Sequence, residues 1–225
     1  PGTGASINTG ARLSITLGRG SSMPTSNAVL LPQDVQPISY AIHLTPNLKT
    51  FTFEGEETVA VRILTATDAI VLNAAELQIR TASFNDSKGQ VITANNIDLD
   101  DDQETLTLIF PNAISPGEGT LNITFMGELN DRLTGFYRSQ YTDLSGNFRT
   151  MATTQFEPSS ARRSFPCWDE PGLKATFQLT LTIPREMDAV SNMPVTGETT
   201  DSSSKTVKFA ESPIMSTYFC LLYKS

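Results

Sequence analysis

Gln155 and Glu157 stand on either side of Phe156, immediately ahead of Pro158. In extended backbone such a pair points to one face, so an amide and a carboxylate are offered side by side. The carboxylate could pair with a cation, and the amide can both donate and accept. On spacing alone, Glu157 reads as a solvated loop acid, because acids are mostly exposed. Gln155 reads equally well as an amide tying a loop to its sheet. Cys167 raises a second chemistry, nucleophilic attack assisted by His43 and Asp169. It sits between Pro166 and Trp168, however, and His43 falls on the polar side of a distant strand. Nothing in the sequence indicates the hydrogen-bond reach that a nucleophile and its base require. His43 is the single histidine of the chain. Zinc hydrolase sites draw on two or more histidines, often as His-Glu-x-x-His, so any zinc chemistry must come from residues outside this sequence.

The charges that follow, Arg162, Arg163, Asp169 and Glu170, are expected to pair with one another and fix the loop carrying Gln155 and Glu157. Surface pairs of this kind contribute about 0–1 kcal/mol unless partly buried. Phe165 and Trp168 supply apolar bulk to anchor it. A second acidic run, Asp98 with Asp100, Asp101 and Asp102, lacks the glycine and terminal glutamate spacing of a calcium loop and reads as a solvated hairpin turn.

These residues must be positioned by strands. From residue 36 the pattern has period two: Ile38, Tyr40, Ile42 and Leu44 alternate with Ser39, Ala41, His43 and Thr45, which marks a half-buried strand. Similar runs are predicted at Phe51–Ile63, Leu77–Phe84, Val91–Leu99, Glu104–Phe110, Thr120–Phe125, Phe148–Thr154, Thr176–Ile183, Lys205–Phe209 and Thr217–Tyr223. Turn chemistry separates them, as in Asp86-Ser87-Lys88-Gly89 and Ser145-Gly146-Asn147. No long helical period intervenes, so the fold class is all-β, a sandwich or curved open sheet. Residues 1–33 differ: they contain no acid, are rich in Gly, Ser, Thr and Asn, and read as a mobile tail or leader ahead of an all-β domain over 34–225. Its Arg and Ser content also fits a mitochondrial transit peptide, although the amphipathic pattern is poor. The chain starts at Pro1 and stops just after an apolar strand, so it is expected to be part of a longer protein.

The totals narrow the function classes. The chain has 225 residues, 39% hydrophobic and 18% charged, a composition able to bury a core. The net charge of -8 argues against nucleic-acid or anionic-membrane partners, which need clustered Lys and Arg. No apolar run approaches the roughly 18 residues of a membrane span. Two cysteines, Cys167 and Cys220, make no disulfide framework and suit a reducing compartment, so a cytoplasmic location is expected.

Residues 155–171 carry more than spacing. Gln155-Phe156-Glu157-Pro158, Ala161-Arg162-Arg163 and Phe165-Pro166-Cys167-Trp168-Asp169-Glu170-Pro171 resemble the signature of the aminopeptidase N and puromycin-sensitive aminopeptidase family. Tyr40 to Leu44 followed by Phe53-Glu54-Gly55 resembles its opening hairpin. Gly127 to Asp131 with Gly135 to Ser139 resembles its middle loop, and Met215-Ser216-Thr217-Tyr218 its last strand before the catalytic domain. Several ordered motifs together are far more specific than one. The resemblance implies saddle-shaped antiparallel sheets, β-sandwich-like, serving as the N-terminal domain of a zinc aminopeptidase. It implies that Glu157 grips the free α-amine of a peptide substrate and that Gln155 lines the first pocket. It also implies that zinc belongs to a catalytic domain of the same chain that is missing here. The alternative is a family member that has lost its metal motif and serves as a binding scaffold.

Overall fold

The computed structural model describes residues 30–143 and 145–224. Residues 1–29 of the predicted tail lie outside the described residues. Of the rest of that stretch, Leu31 is buried, and its backbone N–H donates to Glu170 Oε1 at 2.6 Å.

Fifteen strands are formed among the described residues. The first five are β1 (Val35–Asn47), β2 (Thr52–Ile63), β3 (Thr67–Asn73), β4 (Leu77–Asp86) and β5 (Val91–Thr93). Next come β6 (Asn96–Asp100), β7 (Thr105–Ile114), β8 (Gly117–Glu128), β9 (Gly135–Thr142) and β10 (Phe148–Gln155). The last five are β11 (Thr176–Pro184), β12 (Ala189–Ser191), β13 (Val195–Thr200), β14 (Ser204–Phe209) and β15 (Leu222–Lys224). Two single 3-10 turns, Ala161–Arg163 and Thr217–Phe219, interrupt them. The class is all-β, as expected. An eight-stranded sheet runs β13-β14-β11-β1-β2-β8-β4-β5, a four-stranded sheet runs β12-β15-β10-β9, and a three-stranded sheet runs β3-β7-β6. Among the described residues every pairing between two of these strands is antiparallel but one: β11 lies parallel to β1, from Ser39↔Thr176 to Leu44↔Leu181. A parallel pair needs a long crossover, and residues 48–175 provide it.

The alternation read along β1 holds at Tyr40, Ile42 and Leu44, which are buried. Ile38 breaks it: a bulge between Pro37 and Ser39 shifts the register and leaves Ile38 exposed. The run Val91–Leu99 is two strands rather than one. β5 pairs with β4 and β6 with β7, so the chain changes sheet at Ala94-Asn95. Thr217–Tyr223 is likewise a 3-10 turn followed by the short β15. Residues 135–139, read as part of a loop, belong to β9, and β3, β12 and β13 were not marked by the pattern. β12 and β13 are short and bury no side chain, so they leave little periodic signal. The acidic run does form a turn: Asp100 accepts the backbone N–H groups of Asp102 and Gln103, both at 3.0 Å.

The three sheets share one contiguous core. Phe53 on β2 meets Phe136 on β9 at 5.1 Å between ring centroids, and Phe84 on β4 meets Phe110 on β7 at 6.5 Å. His43 lies on the other face of the large sheet, its Nδ1 2.9 Å from Glu56 Oε1 and its Nε2 2.8 Å from Thr182 Oγ1.

Among the buried polar side chains, one is an acid on the inner face of the large sheet. Glu57 occupies an inward site on β2, between Ile42 on β1 and Ile123 on β8, and is buried. Neither carboxyl oxygen has a hydrogen-bond partner among the described residues. Burial raises its pKa well above the ordinary glutamate value, because the charged form loses its hydration. The raised folded-state pKa means folding is least penalised below the unfolded value of about 4.3. Stability then falls as pH climbs from there toward the folded value. Glu57→Met, which keeps an unbranched chain of similar length, is expected to stabilise the fold by about 1–3 kcal/mol, the usual cost of an unsatisfied buried polar group. The gap between variant and wild-type urea midpoints should widen from pH 5 to pH 8. A gap that stays constant or narrows would show that this carboxyl is not held neutral.

Candidate functional site

β10 is the central positioning element of the candidate site. It lies between β9 and β15 and ends at Gln155, which pairs with Gly135. Gly135 has φ 67, and a Cβ there would stand 2.7 Å from Cβ of Arg163. Glycine at this point therefore lets the following 3-10 turn pack directly on the strand end.

Beyond Gln155 the chain is pinned by aromatic rings. Phe156 is buried and meets Phe165 edge-on at 6.0 Å. Phe165 meets Tyr40 at 6.1 Å, and Tyr40 stacks on Phe177 at 4.9 Å. This row fixes the segment against β1 and β11. With Phe156 turned inward, Gln155 and Glu157 are both turned outward and exposed, on one face as their spacing implied. The Glu157–Pro158 peptide is cis. The Ser160 N–H then donates to Phe156 O at 2.8 Å and closes the loop.

Around this loop the charges form a connected set. Arg162 donates from Nε to Asp169 Oδ2 at 3.0 Å and from Nη1 to Glu104 Oε2 at 3.2 Å. Arg163 pairs with Glu76 and with Glu104, and Arg132 pairs with Glu76. Asp169 Oδ1 accepts the Thr217 hydroxyl at 2.6 Å, and the Asp169 N–H donates to Asn73 Oδ1 at 3.1 Å. Asn73 and Cys167 exchange backbone hydrogen bonds of 2.8 and 3.0 Å.

The expectation that Arg162, Arg163, Asp169 and Glu170 pair among themselves is met for Arg162 and Asp169 alone. Arg163 turns to Glu76 and Glu104, and Glu170 accepts the Leu31 N–H. Glu76 and Glu104, the acids that complete the set, were not singled out by sequence reading. They lie 87 and 59 residues from Arg163, too far for any local pattern.

Phe165 and Trp168 are fully inside, and the Trp168 backbone N–H donates to Tyr40 Oη at 3.2 Å. Cys167 is buried as a free thiol. Burial first, then the Asp169 carboxylate, push its pKa well up. The thiol stays protonated there, so it is no nucleophile. His43 is engaged on the far side of the large sheet with Glu56 and Thr182, which leaves no Cys-His pair.

The sequence comparisons agree with this geometry. Residues 36–219 match the family model described as Peptidase M1 N-terminal domain. The chain belongs to that family. It is 45% identical over 188 residues to Aminopeptidase M1-B of Oryza sativa subsp. japonica, covering 84% of this chain and 21% of the relative. It is 44% identical over 193 residues to Aminopeptidase N of Acetobacter pasteurianus, covering 85% of this chain and 53% of the relative. Against the Puromycin-sensitive aminopeptidase of Caenorhabditis elegans the identity is 42% over 190 residues, covering 84% and 20%. The chain thus spans about a fifth of the rice and nematode proteins and about half of the bacterial one. Among the described residues no three His, Cys, Asp or Glu side chains are grouped to hold a metal ion. The donors among the described residues do not fit a zinc centre. No described helix is long and apolar enough to cross a membrane.

Proposed function

We propose that this chain is the substrate-anchoring domain of an aminopeptidase that removes single N-terminal residues from peptides. Glu157 pairs with the free α-ammonium group, and Gln155 lines the pocket for the first residue. The observation that carries this is a contrast within one segment. Asp169 is paired with Arg162, and Glu170 accepts a backbone N–H. No hydrogen bond or ion pair among the described residues engages the Glu157 side chain, which projects beside Gln155 from a loop locked by Phe156. A free carboxylate on a fixed mount is what selection of a chain terminus requires. An ammonium is bound, while the neutral amide of a chain interior is refused.

The partners in this reading are the peptide N-terminus and a catalytic domain of the same protein. Zinc, if the full-length protein carries it, is held by residues of that other domain. The two free thiols suit a reducing compartment, and the cytoplasm is the location proposed.

The test compares an aminoacyl reporter with its N-acetylated form in the full-length protein. Cleavage of the free amine and rejection of the acetylated form is the expected result. Equal cleavage of both would remove the amine from recognition. Binding of peptides with no turnover would favour the scaffold alternative.

A further inference from the structure

We propose that Glu76 and Glu104, two acids outside the signature segment, are positioning residues that hold the Glu157 loop in register. The proposal rests on the reading of Glu157 given above.

The first support is connectivity. Arg163, on the 3-10 turn that follows the Glu157 loop, is clamped between Glu76 and Glu104. Glu104 also takes Arg162, and Glu76 also takes Arg132. One continuous alternation therefore runs Arg132, Glu76, Arg163, Glu104, Arg162, Asp169. Backbone bonds stitch the same places together: the Ala74 N–H donates to Glu104 O and the Ala75 N–H to Arg162 O, both at 3.0 Å. The loop before β4, the turn before β7 and the 3-10 turn thus form one unit. Guanidinium groups suit such a role, because their planar donors bind two acids in fixed directions.

The second support is backbone strain. Four non-glycine residues among those described have positive φ: Phe51 (57), Glu76 (58), Glu104 (54) and Leu133 (60). This region is unfavourable for residues carrying a Cβ, and such residues cluster where surrounding structure over-determines them at functional sites. All four lie in loops that meet this unit or the strand pair behind it. Glu76 and Glu104 are the clamp itself. Leu133 precedes Thr134, whose hydroxyl donates to Ser160 Oγ at 2.8 Å at the start of the 3-10 turn. The Phe51 ring lies 4.5 Å beneath the Arg138 guanidinium on β9, the strand paired with β10. The left-handed backbone at Glu76 and Glu104 is retained where each side chain reaches the arginines.

Displacement of a positioning group by about 1 Å can cost on the order of 100-fold in rate. In the full-length protein, Glu104→Gln keeps the shape and removes the charge. It should lower kcat/KM on a free-amine aminoacyl reporter by about 10- to 100-fold. The deciding measurement is a double-mutant cycle with Glu157→Ala. If Glu104 acts through Glu157, adding Glu104→Gln to Glu157→Ala should change kcat/KM by less than about twofold. An equal loss in both backgrounds would mean a general structural role and would overturn the proposal. So would wild-type kinetics for Glu104→Gln while Glu157→Ala remains impaired. Normal kinetics for Glu157→Ala would instead sink the underlying reading, and this proposal with it. If Glu104→Gln does not fold, Glu76→Gln, at the more exposed end of the set, enters the same cycle with the same expected outcomes.

Discussion

Glu157→Ala in the full-length protein is expected to lower kcat/KM on a free-amine aminoacyl substrate by about 30- to 4000-fold. That range corresponds to about 2–5 kcal/mol, the cost of removing one partner of a desolvated charge pair. The size of the effect carries the meaning, because Glu157 is exposed in this chain. A carboxylate that stays in water when substrate binds would contribute about 0–1 kcal/mol to holding an ammonium group. Its loss would then cost about fivefold or less. The proposed role requires another domain to cover the loop and exclude water when substrate is present. A loss of at least about 30-fold means that the pair is desolvated. A loss below about fivefold means that Glu157 remains a solvated acid and that the amine is recognised elsewhere. Glu157→Gln should be nearly as impaired as the alanine variant, since it keeps the hydrogen-bond acceptor and removes the charge. Salt separates the two cases independently: a solvated pair weakens with ionic strength, and a buried one much less.

The sequence made the strands with strict alternation legible, together with the loop that carries the candidate residues. β1, β2, β8 and β11 are long and have one face inward, so the period of two is written along them. The one-residue spacing of Gln155 and Glu157 made it readable that both side chains share a face, and the burial of Phe156 sets that face outward. Other features were not legible, for physical reasons. β5 and β6 share one apolar run, and the change of sheet between them depends on which neighbour each finds. Ile38 belongs to the alternating pattern but is turned out by a bulge beside Pro37; proline in a central strand hints at a bulge without saying which residue it displaces. Glu57 was hidden by its neighbour Glu56, since two adjacent acids read as a solvated pair although alternation must put one of them inside. The clamp around Arg163 was invisible for a further reason. Charge pairs formed across 59 and 87 residues depend on the packing of three separate sheets.

The packing of those sheets also sets the largest stability effect expected in this region. Arg162→Met should destabilise the chain by about 3 kcal/mol, the lower end of the roughly 3–5 kcal/mol seen when one member of a buried pair is removed. The Asp169 side chain is 1% exposed and that of Arg162 13%, so water cannot replace the guanidinium. The lower end applies because Asp169 keeps the Thr217 hydroxyl at 2.6 Å. Arg132→Met provides the contrast. Its pair with Glu76 is 55% and 42% exposed, and its removal should cost no more than about 1 kcal/mol. Trp168, the single tryptophan, is buried immediately before Asp169 and reports unfolding in urea by its fluorescence. Equal midpoint shifts for the two variants would contradict the burial-based ranking. The double variant Arg162→Met with Asp169→Asn should recover part of the loss. The destabilisation comes chiefly from a carboxylate left charged in an apolar setting, and asparagine keeps the hydrogen-bonding shape without that charge.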